Sequence, residues 1–337
     1  MAIYHATTKP ISRSSGRSAT ASAAYRAGVE ILDERTGLKH DYSQRNGVVL
    51  SLAFDKNENI LDRSKLWNKA EKAENRRDGR TAREWILAIP HELVPIKESD
   101  QKNIGRNEGA KAVFAFAKLL AERYDVAVDV AIHSPDKAGD NRNWHAHILT
   151  TTRKFELNEQ GFILGSKADI ELSNTKRKER GLASSSFEIK DLRKEWAYIA
   201  NQFLKQYGSN ERIDHRSLKD QGIERQPTIK LGWQASAMER RGKVSERGDI
   251  NRRIKSYNEQ LKALDLEIYI LEGRRQAQQK RQALLEINAG QPTTEDNSTI
   301  IGRYAQWKEQ KEQGEFKKTD LKELNIEKLA TEPGLSS

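Results

Sequence analysis

Residues 125–151 read DVAVDVAIHSPDKAGDNRNWHAHILTT, and this stretch decides the fold. Residues 125–134 and 144–151 are rich in the apolar and β-branched side chains that favour strands. Residues 135–143 between them (PDKAGDNRN) have the Pro, Gly, Asn and Asp content of a loop. Two adjacent antiparallel strands are expected. Residues i and i+2 of a strand share a face, so His145 and His147 project together. An antiparallel hairpin brings His133 level with them. A His-x-His pair alone is common in strands and usually carries no function. A third imidazole converging from a neighbouring rigid strand makes a half-open metal site, with positions left for substrate or water. Asp136 and Asp140 fall in the loop and are not expected as ligands. All-imidazole ligation suits zinc, manganese, nickel or copper on chemistry alone.

The 337-residue chain is 36% hydrophobic and 32% charged. The first value is low and the second high for a packed globule, so part of the chain is expected to be extended and solvated. Cysteine is absent, which excludes disulfides and thiolate metal sites and points to a reducing compartment. No secretory signal opens the sequence and no apolar run reaches the ~18 residues of a membrane span. A soluble cytoplasmic protein is the expectation. Of the net charge of +10, most lies in residues 173–255, which hold 20 Lys and Arg against 11 Asp and Glu. Trp196, Tyr198, Tyr207 and Trp233 are interspersed there, offering stacking faces among phosphate-binding cations. Beside a metal site, this favours a nucleic-acid partner.

Working outward, residues 2–8 read as a strand and 19–28 (ATASAAYRAG) as a helix stopped by Gly28. Residues 41–54 suggest two strands turning at Asn46-Gly47, a strong hairpin signal. Residues 61–75 have helical spacing, 82–89 form a strand ended by Pro90, and 110–124 form an amphipathic helix. Residues 162–164 add an edge strand, and 186–207 a long helix. Strands and helices mix without βαβ alternation, which predicts an α+β fold: a central antiparallel sheet flanked by helices. Ile250, Ile254, Tyr257, Leu261, Leu264, Ile268 and Leu271 then recur at heptad spacing, and the seam dissolves beyond Arg275. Three regions are expected: a catalytic domain over 1–245; a coiled-coil-like α-helical extension over 246–288 that folds back or dimerises; and a charged, partly disordered tail over 289–337, entered by a linker at 290–294.

A metal beside a nucleic acid points to phosphodiester chemistry. With cysteine absent, the attacker is Ser, Tyr or water. Tyr25 is distinctive because Ser22, Ala23 and Ala24 leave room for a strand of DNA to approach it.

Four segments in order, AIYHATTKPISRSSGRSATASAAYRAG (2–28), REWILAIP (83–90), NWHAHIL (143–149) and IDHRSLKDQGIER (213–225), resemble MobA/MobL-type relaxases. These are the MobQ group of plasmid mobilisation proteins, within the His-hydrophobic-His (HUH) endonuclease superfamily. The resemblance covers roughly residues 1–250 and implies an HUH relaxase-like sheet. It implies that Tyr25 is the nucleophile, that His133, His145 and His147 hold the metal, and that Glu84 is the acidic residue of the site. Glu84 would either accept an imidazole N–H or act as a base toward Tyr25. The implied reaction is nicking of single-stranded DNA at a transfer origin (oriT), leaving a 5′-phosphotyrosine and a free 3′-hydroxyl, with later rejoining. Mn²⁺ or Mg²⁺ is the implied cofactor, with Zn²⁺ a further choice. Accessory mobilisation proteins and a type IV secretion coupling protein are the implied partners, with transfer into a recipient cell. A segment such as 213–225 is a family hallmark that could contact DNA through Asp214, His215 and Arg216 or buttress the sheet. The sequence carries no phosphate-loop motif of the helicase type. Two rival readings fit less well. Rolling-circle initiators place their tyrosine after the His-x-His element, whereas Tyr25 precedes it. A structural metal site would need a fourth protein ligand.

Overall fold

The structure, a computed structural model, describes residues 3–94, 107–135 and 140–289. Five strands form the central sheet: β1 (Ala6–Ser12), β4 (Val48–Phe54), β5 (Arg80–Ala88), β6 (Val128–His133) and β7 (His145–Thr151). Their order is β1-β5-β7-β6-β4, and every neighbouring pair is antiparallel. The expected α+β architecture is therefore observed.

Alternation gives the sheet two faces of different chemistry. On one face, Trp85 and Leu87 of β5, Val128, Val130 and Ile132 of β6, and Ala146 and Ile148 of β7 pack with α3 (Glu108–Tyr124) and α5 (Ser185–Gln206). On the other, Ala82, Leu149 and Ala53 pack with α1 (Ala19–Ala27) and α2 (Arg63–Ala73). With both faces covered, β6 is buried along its whole length; its two polar side chains, Asp129 and His133, are both hydrogen-bonded. His133, His145, His147 and Glu84 belong to the face covered by α1.

Small departures from the sequence reading have local causes. The first strand begins at Ala6, four residues later than expected. Residues 41–54 do not form a hairpin at Asn46-Gly47. Instead β3 (Lys39–Asp41) pairs with β2 (Glu30–Leu32), while β4 pairs with β6 in the main sheet. The longer apolar strand finds a better partner far along the chain than its neighbour offers. Residues 162–164 do not edge the main sheet either: β9 (Gly161–Lys167) pairs with β8 (Arg153–Asn158) as a separate ribbon. Two short helices, α4 (Asn174–Glu179) and α6 (Gly232–Arg240), were not expected.

The chain separates into two units between Asp249 and Ile250. From Glu246 to Ala289 it is one continuous helix, α7, of 44 residues, or about 66 Å at 1.5 Å per residue. Within these residues it does not fold back on itself. Tyr257, Leu264, Ile268 and Leu271 of the heptad seam are exposed. The linker at 290–294 and the tail lie outside the described residues. Among those described, no helix is long and apolar enough to cross a membrane.

Candidate metal centre and nucleophile

The β6/β7 register sets His133 directly opposite His145, with Ala131 opposite His147. The three imidazoles consequently share one face, with ring centroids 5.3, 4.8 and 5.3 Å apart. One ring nitrogen from each lies within 4.8 Å of the others.

The hydrogen bonds of the opposite nitrogens fix which atom of each ring carries its lone pair. Carbonyl and carboxylate oxygens only accept, so a ring nitrogen bonded to one must be protonated. His145 Nδ1 donates to the Asn143 carbonyl at 3.0 Å, and His147 Nδ1 donates to Glu84 Oε1 at 2.8 Å. Both therefore present Nε2. His133 is reversed: its Nε2 donates to the Arg26 carbonyl at 2.7 Å, leaving Nδ1. Burial holds His133 neutral, its pKa lowered to about 3. Burial also takes His147 down to about 4, against the opposing pull of Glu84. Neutral, oriented imidazoles with supported outer nitrogens are what a divalent cation requires of histidine ligands.

Glu84 is the buried hinge of this arrangement. It is 1% exposed and faces three cationic or donor groups: His147, Arg26 Nε at 2.6 Å and Lys9 Nζ at 3.2 Å. Burial alone raises a carboxyl pKa. Here the His147 hydrogen bond and the Arg26 guanidinium outweigh burial and hold it at about 2. Neither Arg80 nor Arg83 is its partner, although both are near in sequence. Arg83 points to the opposite face and pairs with Glu171.

Tyr25 sits one residue before the arginine that braces the triad. Helix α1 buries Ala19, Thr20, Ala23, Ala24 and Ala27, and these small side chains let it lie close on the sheet. Ser18 caps its start by accepting from Ala21 N. Gly28 ends it with φ +65°, where a Cβ would meet Val48 Cγ2 at 3.1 Å. The left-handed turn and the close approach both favour glycine. Tyr25 itself stands outward, 40% exposed. Its ring meets Tyr42 edge-on at 5.1 Å, and the Arg45 guanidinium lies over its face, 3.7 Å from the centroid. Arg45 also donates to the Tyr25 carbonyl.

Tyr25, Arg26 and Glu84 line a common cavity of about 790 Å³, whose other walls include Arg13, Arg17, Arg35 and Arg77. Sequence reading singled out none of these arginines, nor Arg45 or Tyr42. It sought phosphate-binding charge in residues 173–255, where the excess is, whereas the cationic cavity is built from residues 13–84. The clue available was the spacing of Arg13 and Arg17 just before the tyrosine helix. In the segment 213–225, Asn201 holds both backbone groups of buried Ile213 at 2.8 Å, while Arg216 folds onto Asp214 at 2.7 Å. Its Ile213 end buttresses the core.

An antiparallel sheet bearing a three-histidine cluster, with a helix carrying an exposed tyrosine laid against the same face, defines a class of sheet proteins with a candidate metal site. Residues 17–241 match the MobA/MobL family, and the chain belongs to that family. Mobilization protein MobL of Acidithiobacillus ferridurans is 40% identical over 73% of this chain and 66% of its own length. A probable mobilization protein MobA of Bifidobacterium longum is 31% identical over 80% of this chain and 50% of its own length. The chain thus spans about half to two thirds of these relatives. A solved structure concerned with the "Molecular Basis of Vancomycin Resistance Transfer in Staphylococcus aureus" is 29% identical, covering 64% of this chain and all of that one, at a TM-score of 0.47.

Proposed function

We propose that the protein is a conjugative relaxase, an HUH endonuclease that nicks single-stranded DNA at oriT and later rejoins it. The observation that carries this reading is the converging set of lone pairs on His133, His145 and His147, braced by Arg26, the residue adjoining Tyr25. In this reading the Tyr25 oxygen attacks one phosphodiester phosphorus. A Tyr–O–P bond forms as the P–O3′ bond breaks. The phenolic proton is lost and the departing 3′-oxygen gains one, leaving a 5′-phosphotyrosine and a 3′-hydroxyl. One ester replaces another, so the 3′-hydroxyl can reverse the step without a nucleotide cofactor.

The three histidines would hold a divalent cation, which when bound withdraws charge from phosphate oxygens and stabilises the transition state. Three imidazole nitrogens suit manganese, zinc, nickel or copper better than magnesium, which takes oxygen ligands. Glu84 acts by orienting His147 rather than as the base for Tyr25. Its carboxylate is engaged by Arg26 and Lys9, and at a pKa of about 2 it takes protons poorly from a phenol. Residues 1–245 form the nicking unit in this proposal, and α7 with the residues after it serves contacts outside the chemistry. Accessory mobilisation proteins and a type IV coupling protein would receive the DNA-linked protein in the bacterial cytoplasm.

The test is incubation with labelled single-stranded oligonucleotides from the cognate transfer origin and Mn²⁺. A denaturation-resistant adduct is expected for the parent protein and none for Tyr25→Phe. An adduct that survives that substitution overturns the nucleophile assignment.

A further inference from the structure

We infer that the arginine-lined cavity beside Tyr25 receives consecutive phosphates of the DNA strand flanking the scissile bond. This assignment rests on the single-stranded DNA reading above. Two of the cavity's arginines are structural. Arg13 donates to Glu71 Oε2 at 3.0 Å and to the carbonyls of Glu74 and Arg76 at 2.7 and 3.0 Å. Arg26 is bound to Glu84 at 2.6 Å. The remaining three are held loosely or not at all. Arg35 approaches Glu71 only to 3.6 Å. Among the described residues, the exposed side chains of Arg17 and Arg77 have no partner.

The acids of the cavity leave Arg17 and Arg77 uncompensated. Asp33 is buried and takes the Thr20 hydroxyl at 2.6 Å, and Glu84 is occupied by Arg26 and His147. Arg17 and Arg77, lining one cleft without counter-ions, create a positive potential there that draws in anions. Tyr25 and Tyr42 belong to the same lining, packed edge-on against each other with Arg45 over one face of Tyr25. Stacking faces beside phosphate-neutralising cations are the combination used to track single strands. Because Tyr25 lies in the wall, a strand seated here would continue directly into the phosphate that Tyr25 attacks.

The experiment is a binding titration with a thymidine oligonucleotide of about 20 nucleotides, long enough to span a single-strand site, followed by fluorescence anisotropy over a range of salt. On single strands each neutralised phosphate adds about 0.7 to the slope of log K against log salt. The double substitution R17Q/R77Q is expected to reduce that slope by about 1.4. K190Q/K194Q, on exposed positions of α5 across the sheet, should leave it unchanged. Among the described residues neither the Arg17 nor the Arg77 side chain makes a hydrogen bond or ion pair, so thermal stability should match the parent. A second arm uses the same oligonucleotide carrying one photoreactive 5-iodouracil. Crosslinks are expected on peptides containing Tyr25 or Tyr42. An unchanged slope in R17Q/R77Q, or crosslinks confined to Tyr198, Tyr207 and Trp233, overturns the assignment. The probe needs neither a nick site nor a metal, so this result stands or falls separately from the adduct assay.

Discussion

The Arg45 guanidinium lies 3.7 Å above the centre of the Tyr25 ring. With Tyr42 at the ring edge, it restricts where the only tyrosine of α1 can place its hydroxyl. A cation over an exposed aromatic face is worth about 0.5–1 kcal/mol, or roughly 2–5-fold in rate if the whole effect is lost from the reacting geometry. Arg45→Ala should slow single-turnover adduct formation by about that factor, with Arg45→Lys intermediate. Equal rates for all three proteins would show that the stack has no bearing on the reactivity of Tyr25.

On the proposed function, loss of one imidazole disables the cation site while leaving the basic surface intact. His145→Ala should reduce cleavage by about 100-fold or more, the loss of several kcal/mol of charge stabilisation. Its affinity for uncleaved single-stranded DNA should change much less. Comparable losses in cleavage and in gel-shift affinity would count against a metal that serves chemistry.

Glu84→Gln keeps the shape of the side chain but removes the charge that faces Arg26, Lys9 and His147. Metal affinity should fall about 10–100-fold, the usual cost of losing a group that orients a ligand. Competition against a chromophoric chelator measures this directly. Glu84→Ala should in addition lower stability by about 1.5–3 kcal/mol, because the partly exposed Arg26 and Lys9 lose the carboxylate they face. Urea denaturation of both variants separates the two effects.

The metal-free protein should lose stability on mild acidification. His133 and His147 have folded pKa values lowered to about 3 and 4, against about 6.5 for a free imidazole. Below about pH 6.5 the unfolded chain binds protons that the folded chain refuses, so stability falls as pH drops toward about 4. The melting temperature of chelator-treated protein should therefore decline steadily over that interval. The double variant His133→Phe/His147→Phe should show a shallower decline, and an identical slope would refute the account.

Much of the site is readable in the sequence because it depends on local geometry. His145 and His147 share a face by strand alternation, and His133 joins them by the antiparallel pairing of two strands that are consecutive in the sequence. Gly28 marks the end of the tyrosine helix by its conformational freedom alone. Arg26 and Arg45 are different: their roles come from approaches across the fold, Arg26 to Glu84 and Arg45 onto Tyr25, and no periodicity encodes them. The Asn46-Gly47 turn misleads for a related reason. A local signal can propose a hairpin, but it cannot register that β6, some eighty residues on, offers β4 a longer apolar partner. Charge excess is equally blind to place, since it drew the reading toward 173–255 while the cationic cavity is assembled from five arginines scattered over residues 13–77.

The connection between β6 and β7 is too long to dictate how the two strands align. Their alignment must instead be chosen by the contrast between the faces: Val128, Val130, Ile132, Ala146 and Ile148 on one side, the histidines on the other. A slip of one residue in either strand would turn its imidazoles into the α3/α5 core and its branched side chains toward α1. Hydrophobic sorting during folding thus acts as the proofreading step for the histidine cluster, and a chain that mispairs here loses its core and its three converging imidazoles in one error.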